Sequence, residues 1–151
     1  MEPFVRGLTP DCLAYALQVA RWTEAWVRNT SARFAWPGNT RQQIVDAASR
    51  DTQRHCSYCD QFLPDPSTID HLRPKARYPG EAYRWANLYL CCQGCQHRKG
   101  LFDENVVAPD EPGYRFDDYF FVDTQWHLQP VNGPNAARAS KTIEHFRLND
   151  P

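Results

Sequence analysis

Apolar residues recur at helical spacing in three stretches of the chain, with short strand-like runs between them. Leu13, Leu17 and Ala20, joined by Ala16, Val19 and Trp26, make a broad stripe that predicts an amphipathic helix from Pro10 to about Asn29. Thr9-Pro10-Asp11 reads as its start: a capping hydroxyl, a proline where a missing N–H costs nothing, and an acid in the first turn. Trp22 and Trp26 are expected to pack in the core rather than to stack on bases. Residues 1–9 are expected to form a loose arm. Pro37-Gly38-Asn39 closes a loop, Thr40 to Gln43 resembles a capping box, and Ile44, Val45, Ala47 and Ala48 carry a second helix toward Thr52. Neither helix gathers titratable groups, so both are assigned to scaffolding or partner contact.

The middle of the chain changes period. Pro64 to Ser67 reads as a connecting loop, and Thr68 to Leu72 as a short strand that Pro74 ends. Trp85 to Cys91 reads as a second strand, and a short helix is expected from Gln96 until Gly100 stops it. Tyr119 to Val122 and Trp126 to Leu128 predict a hairpin around Asp123-Thr124-Gln125. A last helix follows Gly133-Pro134-Asn135, with Ala136, Ala139, Ile143 and Phe146 turned to the core. The pattern predicts an α+β fold, a ββα core with flanking helices, and the Cys-x-x-Cys pairs Cys56/Cys59 and Cys92/Cys95 make that core zinc-stabilised. The length of 151 residues suits one domain. Within it, residues 1–54 would be helical support, 55–101 the zinc-pinned core, and 102–151 the C-terminal hairpin and helix.

No apolar run approaches the ~20 residues of a membrane span, so no membrane association is expected. Met1-Glu2-Pro3-Phe4 does not open a basic-then-apolar leader, which points to a cytoplasmic protein. Six cysteines would suit disulfides in a secreted chain. Here four sit as Cys56-x-x-Cys59 and Cys92-x-x-Cys95, the spacing that brings two sulfurs onto one small turn. In a reducing compartment that favours thiolates on a structural Zn²⁺, closed by four ligands and without an open position for water. Cys91 competes with Cys92, but only Cys92 makes the Cys-x-x-Cys pair with Cys95. Cys12 and Cys91 are expected as buried or half-buried thiols.

Between the two pairs lies Asp70-His71, at a strand end just before a proline. Neighbouring strand residues point to opposite faces, but twist at a strand end can turn both toward one site. An imidazole can take a proton from water near neutral pH, and a carboxylate can hold a hard divalent cation. Together they suit phosphodiester hydrolysis, with His71 as base and Asp70 on the metal. Asn87 can bond backbone and hold the His71 loop. Arg73 and Lys75 on one lip, with Arg98 and Lys99 on the other, could meet phosphate oxygens. His145 is expected on the polar face of the last helix, and His127 as a structural histidine.

The net charge of −1 does not advertise nucleic-acid binding, but its distribution is uneven. Bases dominate from Asp70 to Gly100. Acids dominate from Asp103 to Asp123, a segment expected to repel nucleic acid until a basic partner covers it.

Cys56-Ser57-Tyr58-Cys59, Asp70-His71-Leu72-Arg73-Pro74-Lys75, Tyr83 to Leu88, Cys92-x-x-Cys95 and Lys99-Gly100 resemble the HNH endonucleases. With Thr142 to Asn149 they are similar, more narrowly, to the HNH nucleases of Septu and retron anti-phage systems. The resemblance covers roughly the last two-thirds of the chain. It implies a ββα-metal (His-Me finger) fold, a catalytic Mg²⁺ or Mn²⁺, a nucleic-acid substrate cut to leave a 5′-phosphate, and an ABC/AAA-type ATPase partner. Carried over by position, His71 would be the general base, Asp70 a metal ligand and Asn87 the orienting residue. The second metal ligand in such sites is usually Asn or His directly after the last zinc cysteine. Gln96 stands there, with His97 next to it, so either Gln96 serves, His97 substitutes, or the site is weakened. Longer relatives are expected to continue past Leu148-Asn149. Two other readings stay open: a catalytically weakened zinc-pinned module that binds nucleic acid or protein, and a stand-alone toxin with an immunity partner.

Overall fold

The computed structural model describes residues 1–65 and 68–150. Helices α1 (Asp11–Ala14), α2 (Ala16–Arg28) and α3 (Thr40–Asp51) come first. Strands β1 (Thr68–His71) and β2 (Leu88–Cys91) and helix α4 (Gln93–Arg98) follow. The chain ends with β3 (Phe120–Val122), β4 (Leu128–Pro130) and α5 (Ala136–Phe146). Among the described residues, no helix is long and apolar enough to cross a membrane.

β1 and β2 pair antiparallel, with Thr68 opposite Cys91 and His71 opposite Leu88. α4 leaves the end of β2 directly, so β1, β2 and α4 form the expected ββα unit. All four residues of β2 are buried, which fits a strand covered on both faces. α3 packs against both strands through Ile44, Val45, Ala47 and Ala48. Phe146 of α5 stacks on Tyr58 at 3.8 Å between ring centroids, closing the core from the C-terminal side. β3 and β4 form a separate two-stranded hairpin beside α5.

Several element boundaries differ from expectation for local reasons. The first helix is broken at Tyr15, whose ψ of 90° is not helical, and Thr9 does not cap it; Pro10 occupies the cap position without a side-chain bond. The break turns Leu17 out to 82% exposure, so the predicted stripe is only partly buried. The capping box at Thr40 does not form. Instead Gln43 Nε2 donates to Asn39 Oδ1 at 2.9 Å. Residues 85–87 make a tight turn before β2 begins at Leu88. α4 starts three residues earlier than expected, because the Cys92 thiol accepts the Cys95 N–H at 3.3 Å and caps it. The second hairpin strand starts later, since Trp126 takes a positive φ of 63° in the turn. Of the predicted loop at 64–67, Pro66 and Ser67 lie outside the described residues.

The N-terminal arm is the clearest correction. Arg6 is inserted into the fold: its Nη1 donates to Trp85 O at 3.0 Å and Leu88 O at 2.9 Å. The guanidinium pairs with Asp110 and lies over the Trp85 and Tyr89 rings at 4.8 and 4.6 Å. A guanidinium offers donors in plane and a face for rings, so one side chain locks the arm to β2.

Candidate metal and active site

The zinc-type cluster builds from two turns. Cys56 N–H donates to Gln61 O, and Asp60 adopts a left-handed φ of 63°, which folds the first pair into a knuckle. Ser57 N–H donates to Leu90 O at 2.9 Å, tying the knuckle to β2. The second pair sits on the first turn of α4. The Sγ atoms of Cys56, Cys59, Cys92 and Cys95 lie within 4.8 Å of one another, so the four cysteines are positioned to bind a metal ion. Hydrogen bonds from Cys59, Cys91 and Cys95 favour the thiolate of Cys56, lowering its pKa. Cys92 N–H also donates to the Cys56 sulfur at 3.4 Å. Four soft sulfurs in a mostly buried cluster are the donor set of a structural zinc site. The Cys91 thiol lies beside the Cys56 sulfur and also donates to Cys92 O at 3.1 Å.

The other end of the ββα unit carries different chemistry. Asp70, 5% exposed, is the third of the four residues of β1. Lys99 Nζ donates to both of its oxygens, at 2.9 and 2.8 Å, and to His71 O at 2.9 Å. The Tyr58 hydroxyl adds a bond to Oδ2 at 2.9 Å. Burial and the carboxylate beside it push the Tyr58 phenol pKa up, so it stays a donor. Three of roughly four acceptor sites on the carboxylate are thereby used. Lys99 is therefore not on the rim as expected; it turns inward onto Asp70.

His71, 7% exposed, accepts a different environment from its neighbour. Its Nε2 donates to the Ala82 carbonyl at 2.9 Å. A carbonyl can only accept, so the proton of the neutral ring sits on Nε2 and Nδ1 keeps a lone pair. Burial, with the Lys75 charge opposing a second cation, holds the imidazole down at about 4. The ring lies parallel to Trp36 at 5.6 Å between centroids and meets the Phe34 edge at 5.3 Å.

Asn87 is 3% exposed and bonds only backbone: Oδ1 accepts from Arg73 N at 2.8 Å, and Nδ2 donates to Arg73 O and Glu81 O at 3.1 Å. It thus ties together the two ends of the loop that follows β1. Gln96 Oε1 accepts from the Thr68 hydroxyl at 2.7 Å. Gln96 lines the same cleft as Asp70 and His71, whereas His97 is exposed and is absent from the cleft lining.

That cleft has a volume of about 580 Å³. Its floor is Thr68 to His71, Gln96 and Lys99, and its opposite wall is Trp26, Phe34 and Trp36. Asp70 and His71 point to different partners, yet both open onto this one space. For a divalent ion the donors present are hard oxygens, the Asp70 carboxylate and the Gln96 amide, which suit Mg²⁺ or Mn²⁺. The fit is partial, because the Lys99 ammonium already lies on Asp70.

The remaining predicted residues scatter. Lys75 lines the cleft with its Nζ over the Phe34 ring at 5.1 Å. Arg73 is half-exposed and pairs with Glu104 at 3.4 Å. Arg98 Nη1 donates to Asp150 O at 2.9 Å, away from the cleft. His145 is buried rather than solvated, with Nδ1 on Leu101 O at 3.0 Å and the ring against Phe146. The acidic run is not a free screen. Asp110 holds Arg6 and the Tyr89 hydroxyl, Glu111 makes a two-pronged pair with Arg138, and Asp123 accepts from Gln125 N, His127 N and Gln129 Nε2. Sequence reasoning missed Tyr58, Phe34 and Trp36. The only signal for Tyr58 was its place between two ligands, and loop aromatics carry no periodicity.

Over 96 residues the chain is 27% identical to Septu protein PtuB of Bacillus thuringiensis, a match covering 60% of this chain and 35% of that protein. The match thus spans about a third of the curated relative's length. The stretch that holds both cysteine pairs, both strands of the ββα unit and its helix, residues 56–101, is also the stretch that matches the HNH endonuclease family.

Proposed function

We propose that this protein is a metal-dependent HNH endonuclease that hydrolyses phosphodiester bonds, and that it serves as the effector of an anti-phage system beside an ATPase partner. The observation that carries the reading is the convergence of Asp70, His71 and Gln96 on one cleft at the end of β1. The HNH match and the similarity to PtuB support it.

His71 enters the reaction neutral, with Nδ1 free to take a proton from water while the Ala82 carbonyl fixes the tautomer. Asn87 keeps the loop bearing Arg73 and Glu81 closed, and so holds the Ala82 carbonyl in place. Asp70 and Gln96 would hold the divalent ion, with Tyr58 and Lys99 fixing the carboxylate. When bound, that ion would supply charge stabilisation at the phosphoryl oxygens. The zinc cluster would take no part in the chemistry; it fixes α4 against β2 and so places Gln96 and Lys99.

The reading predicts cleavage of plasmid DNA or of RNA by zinc-loaded protein with Mg²⁺ or Mn²⁺, stimulated by the co-encoded ATPase. An Asp70→Asn variant is expected to lose that activity. Equal cleavage by the variant, or no cleavage under any of these conditions, would overturn it. A second reading, a weakened binding module, is favoured by the Lys99 ammonium on Asp70 and by Gln96 in the ligand position. Titration of Mn²⁺ into zinc-loaded protein separates the two: heat that disappears in Asp70→Asn supports the nuclease, and no heat supports the module.

A further inference from the structure

The wall facing His71 comes from a part of the chain that precedes the HNH match. Trp26 closes α2 and anchors the wall, its Nε1 donating to Lys75 O at 3.1 Å. Phe34 meets Trp26 and Trp36 edge-on, each at 5.0 Å. Trp36 is half-buried, with its plane parallel to the imidazole at an interplanar angle of 7°. Lys75 lies over Phe34, and Arg41 and Lys99 also line the space. The cleft therefore joins aromatic faces to the cationic side chains of Lys75 and Arg41, beside the Lys99–Asp70 pair and the proposed general base.

We propose that this cleft takes an unpaired strand of nucleic acid, and that Trp36, with Phe34 behind it, is a specificity-determining wall that stacks the base next to the scissile phosphate. The inference rests on the nuclease reading for the word scissile, but the binding it describes does not need cleavage. Charge complementarity selects a polyanion, and the rings select one with open base faces. In a duplex each base face is covered by its neighbours, so an aromatic wall gains little unless a nucleotide leaves the stack. The volume of about 580 Å³ falls in the range that encloses one small organic ligand, ~300–1,000 Å³. A nucleotide with its phosphate fits there. His71 and Asp70, at 7% and 5% exposure, lie too deep for a flat groove wall to reach.

The test measures binding of a fluorescent 12-nucleotide single-stranded DNA, its RNA counterpart and the annealed DNA duplex to zinc-loaded protein without added Mg²⁺ or Mn²⁺. Single strands are expected to bind ~10-fold more tightly than the duplex, in keeping with the worth of one stacked base. Trp36→Ala should remove most of that preference, Trp36→Phe should keep it, and neither should alter duplex affinity. The wild type gives a second readout that needs no variant. A single strand carrying 5-iodouracil, irradiated in the complex, should form its adduct within Phe34 to Trp36. Duplex binding as tight as single-strand binding, an unchanged preference in folded Trp36→Ala, or adducts confined to other segments would each overturn the proposal. The binding assay gives its answer whether or not the protein cuts with Mn²⁺, so this inference and the nuclease reading fail separately.

Discussion

The two ends of the ββα unit are only a helix apart and are built on opposite chemical plans. At the N-terminal end of α4, four like sulfurs close around one point, and backbone N–H groups of Cys92 and Cys95 point at them. At the C-terminal end, the Asp70 carboxylate pairs with the Lys99 ammonium, the His71 imidazole with a backbone carbonyl and the Gln96 amide with a hydroxyl, and all share a cleft. The first arrangement suits a permanent ligand shell, in which every donor is used and water has no place. The second suits exchange, since hard oxygens and a neutral imidazole that line a cleft can accept and release what enters. Rigidity at one end supports precision at the other: the cysteine end sets the position of α4, and α4 sets Gln96 and Lys99.

That contrast predicts effects of very different size. The largest is expected at the sulfur end. Cys92→Ser removes both a ligand and the cap of α4, and structural zinc contributes about 10–16 kcal/mol in small zinc peptides. The variant should lose zinc and its cooperative thermal transition, by metal analysis and circular dichroism; a zinc-loaded, cooperatively folding variant would break the comparison.

Lys99→Met should act at the other end and less drastically. It strips the ammonium from a buried carboxylate, which costs about 3–5 kcal/mol when one partner of a buried pair is removed. Zinc content should stay at the wild-type level while the urea midpoint falls. Loss of zinc together with stability would show that the two ends are not independent.

The smallest effect is the pH dependence of His71. Its folded-state pKa of about 4 lies below the ordinary imidazole value of 6.5. The unfolded chain therefore takes up this proton before the folded protein does. Stability that is present above pH 6.5 is lost as pH falls through about 4, by about 3 kcal/mol. The difference in urea midpoint between wild type and His71→Gln, measured from pH 7 to 4.5, should shrink accordingly; a constant difference would mean that the imidazole is not buried neutral.

The sequence carried the sulfur end almost completely. Cys-x-x-Cys spacing is a local code, and it distinguished Cys92 from Cys91 without a structure. Strands β1 and β2 were also legible, because Ile69, Leu88 and Leu90 alternate with residues that proline and tight turns bracket. The exchange end was legible only in part. Asp70 and His71 stood out as residue types, but their partners lie 12 residues or more away in sequence, apart from Ala82, and no periodicity encodes that Lys99 turns inward or that Tyr58 reaches Oδ2. The arm at residues 1–9 and the aromatic wall were misread or missed for the same reason. Arg6 and Trp36 are polar and loop residues by pattern, and only the docked fold gives them a surface to fill.

Single-turnover cleavage of a nucleic acid at fixed Mn²⁺, comparing wild type with His71→Ala at equal zinc content, tests the central claim most directly. General-base removal predicts a rate ~10²–10⁴-fold lower, with zinc content and cooperative unfolding retained. A His71→Ala protein that cuts as fast as the wild type would contradict the account.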